Sequence, residues 1–265
     1  MNDSHSSTRV KDPIRGTNED PATAEPTHTH PAVSVCIPAR NEERFITGCL
    51  ESVRQAEAML GEPVEIVVAL NRCTDRTEEI ARSFGAKIVR EDAKNLSRIR
   101  NAAAKAVTAP IVVTIDADSR MSENMLVEVR RRLETGRTIG GGVLLIPERL
   151  SLGILLTSFI IIIFLAPFGL SGGLFWCRKV DFEKMGGFNE DLLTGEDVDF
   201  AFRLRKLGRQ QGRQFSTIFR ASITTSCRKF DEFGDWYLFN PVLLWRLFKG
   251  RNRHDADRLW YDVKR

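Results

Sequence analysis

The sequence predicts an α/β fold whose mostly parallel central sheet is covered by helices on both faces. Strand-like and helix-like segments alternate from residue 32 to residue 136. The strand segments are continuously apolar, as in "VSVCIPA" and "PIVVTID", which is typical of strands buried on both faces. Ligands of such sheets bind beyond the carboxyl ends of the strands. The polar segments "PARN", "NRCTD" and "DADS", which follow three strands, should therefore meet at one cleft.

The individual elements follow from residue periodicity and capping residues. Asn41 and Ser122 are placed to cap the first and fourth helices, and Gly85 and Gly136 to end the second and fourth. The predicted strands are 32–38, 64–70, 86–91 and 110–116, and the predicted helices are 41–60, 74–85, 97–107 and 122–136. After the glycines at 140–142 this pattern breaks. A short helix with a Gly-Gly turn within 181–188 and a helix over 195–208 are expected further on.

Composition divides the chain into three parts. Residues 1–31 contain few large apolar side chains and no apolar stretch of a signal peptide, so we expect a disordered tail. Residues 32–230 form the predicted globular domain. Residues 231–265 mix aromatic and basic side chains and are expected to form a helical C-terminal extension.

Residues 151–177 carry no charged side chain, which a membrane span or a buried segment would explain. A single crossing would place "DADS" and the later acidic cluster "GED" on opposite sides of a membrane. If the two form one site, such a crossing is excluded. We therefore predict that residues 151–177 are buried or lie at a membrane interface.

Composition also excludes several function classes. Five cysteines without a CxxC pair indicate neither a disulfide framework nor a zinc knuckle, and they fit a reducing, cytoplasmic compartment. His254 is the only histidine outside the predicted tail, so neither a Ser-His-Asp triad nor a histidine-rich metal site is expected. From Arg203 to Arg265, fifteen Lys and Arg residues stand against six Asp and Glu residues. This excess suggests phosphate binding, in a ligand or peripherally at the cytoplasmic face of a membrane, and no nucleic-acid signature accompanies it.

Two aspartates, Asp116 and Asp118, follow the fourth strand with one alanine between them. If the strand continued, both carboxylates would lie on one face and their repulsion would need compensation. A turn that uses aspartates for backbone hydrogen bonds is one explanation, and a bound cation is the other. Oxygen ligands without histidine or cysteine suit Mg²⁺ or Mn²⁺. With so few protein ligands, such a cation would share its shell with the phosphate oxygens of a diphosphate ligand.

Four segments add a resemblance to these patterns. In order they are "VSVCIPARNEE", "VVALNRCTDRT", "IDADS" and "GGLFWCRKVDFEKMGGFNEDLLTGEDVDFAFRL". Together they resemble glycosyltransferase family 2, the inverting enzymes with a GT-A fold, from about Val33 to Gly208. The resemblance implies a nucleotide-binding αβα sandwich of the GT-A type. It also implies metal-dependent transfer of a sugar from a nucleotide-diphosphate donor to an acceptor hydroxyl.

The resemblance implies roles for individual residues as well. Asp118 would ligate the divalent metal that bridges the donor's two phosphates, and Asp116 would contact the ribose, the metal or a metal-bound water. Asn101 follows Arg100 in the helix whose arginine approaches the base or the phosphates. Nucleotide-sugar contacts are implied for Pro38, Arg40, Glu42, Asn71, Arg100 and Asp116.

The acidic pair Glu196 and Asp197 lies in the first turn of a predicted helix, where the helix dipole alone would favour it. Inverting sugar transfer needs one base to take the proton of the acceptor hydroxyl, and a metal can stabilise the leaving diphosphate. A glycosidase would instead need two carboxylates with separate acid and base roles. One base and one metal site account for the acidic clusters. The resemblance implies that Asp197 is the base and that Glu196 positions the acceptor or Asp197.

The chain departs from the family pattern in two places. Leu70 and Asn71 stand where the family usually has two aspartates, so a carboxylate contact to the base is lost. The C-terminal part lacks the Q-x-x-R-W of the family's polysaccharide synthases, so transfer is expected to be non-processive.

Arg228 and Lys229 either close over the diphosphate or are solvated loop charges. A lipid-linked acceptor would suit the apolar segment and the basic C-terminus.

Two rival functions remain open at this point. A sugar-phosphate nucleotidyltransferase would share a similar sheet, but the glycine-rich loop it needs after the first strand is missing from "PARNEER". A catalytically inactive protein that docks on membranes would have no need of Asp116, Asp118 and Asp197 together.

Overall fold

The structure of the protein, a computed structural model, describes residues 30–156, 159 and 173–236. The tail predicted over 1–31 and the extension predicted over 231–265 lie almost entirely outside these ranges, as does most of the apolar segment predicted over 151–177. No helix within the described ranges has the length and apolar character needed to cross a membrane.

Within the described ranges, eight strands form one mixed sheet in the order β3-β2-β1-β4-β7-β6-β8-β5. The strands β3, β2, β1 and β4 are parallel, and β7 runs antiparallel to both of its neighbours, β4 and β6. The strand β8 is parallel to β6 and antiparallel to the short edge strand β5. The strand bounds are β1 Val33–Ala39, β2 Val64–Leu70, β3 Lys87–Arg90, β4 Ile111–Ile115, β5 Ser119–Met121, β6 Thr138–Pro147, β7 Leu174–Arg178 and β8 Gln214–Thr225.

Helices cover both faces of this sheet, which confirms the predicted α/β sandwich. Their bounds are α1 Ile46–Leu60, α2 Thr77–Ser83, α3 Leu96–Lys105, α4 Met125–Glu134, α5 Lys179–Met185, α6 Glu196–Gln210 and α7 Arg228–Phe233. One apolar cluster packs α1, α2 and α4 against one face, and a second packs α3, α5 and α6 against the other. Neighbouring residues of β1 enter different clusters, since Val35 and Ile37 join the first and Cys36 the second.

The glycines at 140–142, for which the sequence analysis gave no secondary structure, lie inside β6. Glycine is required there by close strand packing: a Cβ on Gly141 would lie 1.6 Å from the backbone oxygen of Ser216 on β8. The indole Nε1 of Trp176 donates a hydrogen bond of 3.0 Å to the Gly142 carbonyl. Part of the predicted apolar segment is also a strand, since Leu174–Arg178 forms β7 at the centre of the sheet.

Several predicted helix ends differ from the structure. Helix α4 begins at Met125 after Asn124, so Ser122 is not its cap, and α2 begins at Thr77 rather than at residue 74. Helix α1 begins at Ile46, and Asn41 is not its cap but adopts a left-handed conformation with φ of 51°. Helix α6 continues to Gln210, so Gly208 does not end it. Gly208 instead packs against Ile139 of β6, where a Cβ would approach within 2.8 Å.

Candidate active site

The loops that follow β1 and β2 are joined by hydrogen bonds at the carboxyl edge of the sheet. The Thr74 N–H donates to Asn41 Oδ1 over 2.8 Å, and the Glu43 N–H donates to Asp75 Oδ2 over 3.0 Å. The side chain of Asn41 therefore links two loops, which explains its left-handed backbone better than helix capping does. The predicted meeting of "PARN" with "NRCTD" is confirmed.

The two aspartates that follow β4 lie in a turn, not in a continued strand. The Ser119 N–H donates to the Asp116 carbonyl over 3.0 Å, which closes the turn through the backbone. The two carboxylates then face different cations. Asp116 Oδ1 accepts from Arg100 over 2.8 Å, and Asp118 Oδ2 lies 3.0 Å from Arg228 Nη2. Both a turn and cationic side chains thus relieve the repulsion expected from the sequence.

Arg100 connects this turn to the acidic start of α6. Its guanidinium lies 3.2 Å from Glu196 Oε1, contacts Asp197 Oδ1 and binds Asp116. The side chain is only 3% exposed, and its guanidinium lies 5.1 Å from the centre of the Phe188 ring. One buried cation therefore holds three carboxylates from two distant segments in a single cluster. The "DADS" and "GED" motifs form one site, as the prediction of a non-crossing segment required.

Burial perturbs the protonation of this cluster. It raises the pKa of Glu196 to about 7, and the neighbouring Asp197 charge adds to that effect. Burial also raises the pKa of Asp197, although the Arg100 charge opposes the increase. Asp197 retains 26% side-chain exposure and Glu196 only 6%, so Asp197 is the carboxylate of the pair that a ligand can reach. A reachable carboxylate with a raised pKa is suited to accept a proton.

Helix α3 also holds the loop that leads into α6. The Phe188 N–H donates to Asn101 Oδ1 over 2.8 Å, and Asn101 Nδ2 donates to the Phe188 carbonyl over 2.9 Å. At the N-cap of α3, Asn95 Nδ2 donates to the Glu190 carbonyl over 2.7 Å. Gly187 makes this contact possible, because a Cβ there would lie 2.5 Å from Asn101 Oδ1. We call these contacts of Asn95 and Asn101 with the loop the clamp between α3 and the loop before α6. The sequence analysis predicted the Gly-Gly-Phe turn of this loop but not its contact with α3.

Arg228, the first residue of α7, spans the other side of the site. It makes a two-pronged ion pair with Glu42, at 2.6 and 3.1 Å, in addition to its contact with Asp118. Ser226 Oγ donates to the same Asp118 oxygen over 3.1 Å. The sequence analysis left two interpretations of Arg228, a contact with the diphosphate or a solvated loop charge. These ion pairs, with a side chain that is 21% exposed, exclude the solvated loop charge. The side chain of Lys229 lies outside what the structure describes.

The other residues predicted to bind the nucleotide differ in how well placed they are. Arg40 lies in the β1–α1 loop at the cleft and is partly exposed. Pro38 is buried in β1, opposite Ala69 of β2. Asn71 lies at the end of β2 as predicted, but it is fully buried and its amide donates to the carbonyls of Glu91 and Ala93. The predicted contact of Asn71 with a base is therefore not supported, because its amide donors hold the loop after β3.

The predicted metal site can be tested against its donor atoms. Asp116 and Asp118 offer hard carboxylate oxygens, and a guanidinium, itself a cation, already lies 3.0 Å from Asp118 Oδ2. In the described part of the chain, no group of three or more His, Cys, Asp or Glu residues could hold a metal ion by itself. The residues therefore fit a hard cation only when a second ligand supplies further oxygens.

The fold is of the GT-A type, which glycosyltransferases share. The model of the family described as "Glycosyl transferase family 2" matches residues 34–166, half of the chain. The chain belongs to glycosyltransferase family 2, and the predicted family and enzyme class are confirmed.

Solved structures share the fold at low sequence identity. S. aureus TarS (residues 1–349, in complex with UDP-GlcNAc) matches with a TM-score of 0.57 and 18% identity, over 73% of this chain and 58% of TarS. The mannosyltransferase PcManGT from Pyrobaculum calidifontis, in complex with GDP-Man and Mn²⁺, has a TM-score of 0.57 and 21% identity, over 74% of this chain and 56% of its own. Glucosyl-3-phosphoglycerate synthase from Mycobacterium tuberculosis, in complex with Mn²⁺, UDP and glucosyl-3-phosphoglycerate, has a TM-score of 0.55 and 18% identity, over 84% of this chain and 82% of its own.

A curated relative matches over a shorter region. The 4,4'-diaponeurosporenoate glycosyltransferase of Staphylococcus aureus (strain USA300) is 42% identical over 60 residues. This match covers 23% of the chain and 15% of the relative.

Proposed function

We propose that the chain transfers a single sugar, with inversion, from a nucleotide-diphosphate donor to an acceptor hydroxyl, and that Mg²⁺ or Mn²⁺ assists the transfer. The observation that carries this proposal is the contact of one arginine, Arg100, with both Asp116 and Asp197. It joins the turn proposed to face the donor with the carboxylate proposed as the base. Neighbouring structures that contain UDP-GlcNAc or GDP-Man with Mn²⁺ support the same donor chemistry.

In this proposal Asp197 acts as the general base. The acceptor oxygen attacks the anomeric carbon from the side opposite the diphosphate, and its proton passes to Asp197. The bond between the sugar and the phosphate oxygen breaks, and the diphosphate leaves with the electron pair. Because burial raises the pKa of Asp197, its carboxylate is a stronger base than an ordinary aspartate. Glu196, which is more buried, positions Asp197 through their shared partner Arg100.

Asp118 and Asp116 would hold the divalent cation together with the donor's phosphate oxygens. When bound, that cation stabilises the negative charge of the leaving diphosphate. Arg40, at the cleft, is proposed to contact the nucleotide, whereas Glu42 and Pro38 shape the site from buried positions. Family membership favours this proposal over a nucleotidyltransferase or an inactive docking protein.

The base assignment is tested by replacing Asp197→Asn, with Asp199→Asn as a matched control. Asp199 lies on the same helix, has the same 26% side-chain exposure and pairs with Arg203 outside the cluster. We expect Asp197→Asn to lower kcat by at least about 100-fold while the Kd for the donor stays within about threefold. Asp199→Asn should retain transfer. Full turnover by Asp197→Asn would show that another group takes the proton.

The donor and the metal are tested by thermal shift. A panel of nucleotide sugars, with and without Mn²⁺, should contain one that raises the Tm of the wild-type protein, because a ligand of the native state stabilises it. Asp118→Ala should abolish the part of that shift that depends on Mn²⁺. A donor shift that is equal with and without Mn²⁺ would rule out metal-assisted donor binding.

The acceptor is proposed to be lipid-linked and reached at a membrane surface on the cytoplasmic side. Leu150 and Leu152 are 67% and 74% exposed and follow Arg149, which pairs with Asp231 of α7. The C-terminal sequence is basic. The full chain should then sediment with anionic liposomes, and the binding should weaken as salt screens the charges. Absence of binding at low salt would exclude this surface.

A further inference from the structure

The guanidinium of Arg228 lies where two carboxylates of the site converge. It is 3.0 Å from Asp118 Oδ2 and 2.6 and 3.1 Å from the two oxygens of Glu42. Glu42 is only 4% exposed, so its charge needs a partner inside the protein. The guanidinium is also 5.4 Å from the centre of the Phe45 ring. A cation of the chain itself thus already neutralises the carboxylate that the proposed function assigns to a metal.

This position of Arg228 is fixed by its surroundings. Arg149, next to the end of β6, pairs with Asp231 of α7 at 2.7 Å and with Asp235 at 2.6 Å. The Ser226 N–H donates to the Asp118 carbonyl over 3.1 Å, so the segment before α7 is attached to the same turn. Arg228 therefore stays next to Asp118 unless a ligand changes the charge balance of the site.

The charges in the site disfavour binding of a metal ion alone at Asp118 and favour binding of a metal ion together with a diphosphate. A divalent cation at Asp118 would meet the positive charge of Arg228 at close range and would have too few protein ligands to compensate. A diphosphate brings negative charge and oxygen ligands, which the metal and Arg228 can share. The same guanidinium that opposes a metal ion alone then favours the metal–diphosphate pair.

We propose that Arg228 is a specificity-determining residue, which excludes a lone divalent cation from Asp118 and admits it only together with a nucleoside diphosphate. This inference rests on the proposed function in placing the metal at Asp118. Thermodynamic reciprocity requires that metal and nucleotide each raise the affinity for the other by the same factor. Arg228 is the source of a large part of that factor.

The test measures the Kd of Mn²⁺ by electron paramagnetic resonance, without nucleotide and with saturating UDP or GDP, whichever the thermal-shift panel identifies. In the wild-type protein, the nucleotide should tighten Mn²⁺ binding by at least about 30-fold. In Arg228→Gln, Mn²⁺ alone should bind at least about fivefold more tightly than in wild type, and the tightening by nucleotide should fall at least about tenfold.

The matched control is Arg120→Gln. Arg120 lies two residues from Asp118 and pairs with Glu148 at 2.7 Å, so its replacement removes the same charge without removing a contact to Asp118. We expect its Kd for Mn²⁺ to stay within about twofold of wild type. Equal tightening in Arg120→Gln and Arg228→Gln would overturn the proposal, because net charge would then explain both.

The wild-type measurement keeps the proposal testable if Arg228→Gln does not fold. Mn²⁺ binding of equal strength with and without nucleotide in the wild-type protein would overturn the inference. If wild-type Mn²⁺ binding depends on nucleotide but a folded Arg228→Gln variant binds Mn²⁺ alone no more tightly, this inference is overturned, while the metal dependence of the proposed function stands. Absence of Mn²⁺ binding under every condition would overturn this inference and the metal dependence of the proposed function together.

Discussion

Two adjacent glycines after α5 provide a matched pair for testing the clamp between α3 and the loop before α6. Gly186 and Gly187 both have left-handed backbones, with φ of 79° and 69°. An alanine at either position has to adopt a conformation that costs about 1–2 kcal/mol. Only the second would collide with its surroundings. A Cβ on Gly187 would lie 2.5 Å from Asn101 Oδ1, whereas a Cβ on Gly186 has nothing within 4 Å.

The expected difference follows from the hydrogen bonds of Asn101. To make room for the methyl group, the amide must leave the N–H and carbonyl of Phe188, which it binds over 2.8 and 2.9 Å. Each lost bond costs about 1 kcal/mol, and more where a buried backbone group remains unpaired. Gly187→Ala should therefore lower the free energy of unfolding by about 3–5 kcal/mol, and Gly186→Ala by about 1–2 kcal/mol.

Urea unfolding monitored by tryptophan fluorescence measures both values, provided that the m-values agree with wild type. Because the clamped loop leads into α6, Gly187→Ala should also lower kcat more than it weakens donor binding. A difference in stability below about 0.5 kcal/mol between the two variants would refute the reasoning, since backbone strain alone would then account for both.

Two further perturbations test the sheet and the buried carboxylates. Gly141→Ala should prevent folding or destabilise by more than about 4 kcal/mol, because its Cβ would lie 1.6 Å from a backbone oxygen. Gly136→Ala, which has open space around it, should still fold, and expression with circular dichroism compares the two. Glu196 has a folded-state pKa of about 7, raised from 4.5, so its contribution to stability falls as the pH rises between these values and levels off above them. Relative to wild type, Glu196→Gln should therefore gain about 2–3 kcal/mol in unfolding free energy from pH 5 to pH 8, and an unchanged difference would contradict a raised pKa of Glu196 in the folded protein.

The strands and the positions of the polar loops could be predicted because they depend on neighbours in the chain. Continuous apolar runs predicted β1 to β4, and the polar segments after β1, β2 and β4 were expected at one edge of the sheet. The second half of the sheet was not predicted. Three consecutive glycines in β6 resemble a break in regular structure, and they are compatible with a strand only because β7 and β8 approach so closely.

The sequence by itself determined the α/β class, the family and the residue types available for chemistry: carboxylates and arginines, with almost no histidine. Only the tertiary structure decided which charges meet. Arg100 faces carboxylates 16, 96 and 97 residues away along the chain, and Arg228 pairs with Glu42 from a distance of 186 residues. The Asn71 amide, which the resemblance places near a base, donates to two carbonyls of the loop after β3. The local sequence predicts which strand, helix or loop carries a side chain. Its hydrogen-bond or ion-pair partner depends on how distant elements pack, because buried charges and amides need partners among the groups that packing brings beside them.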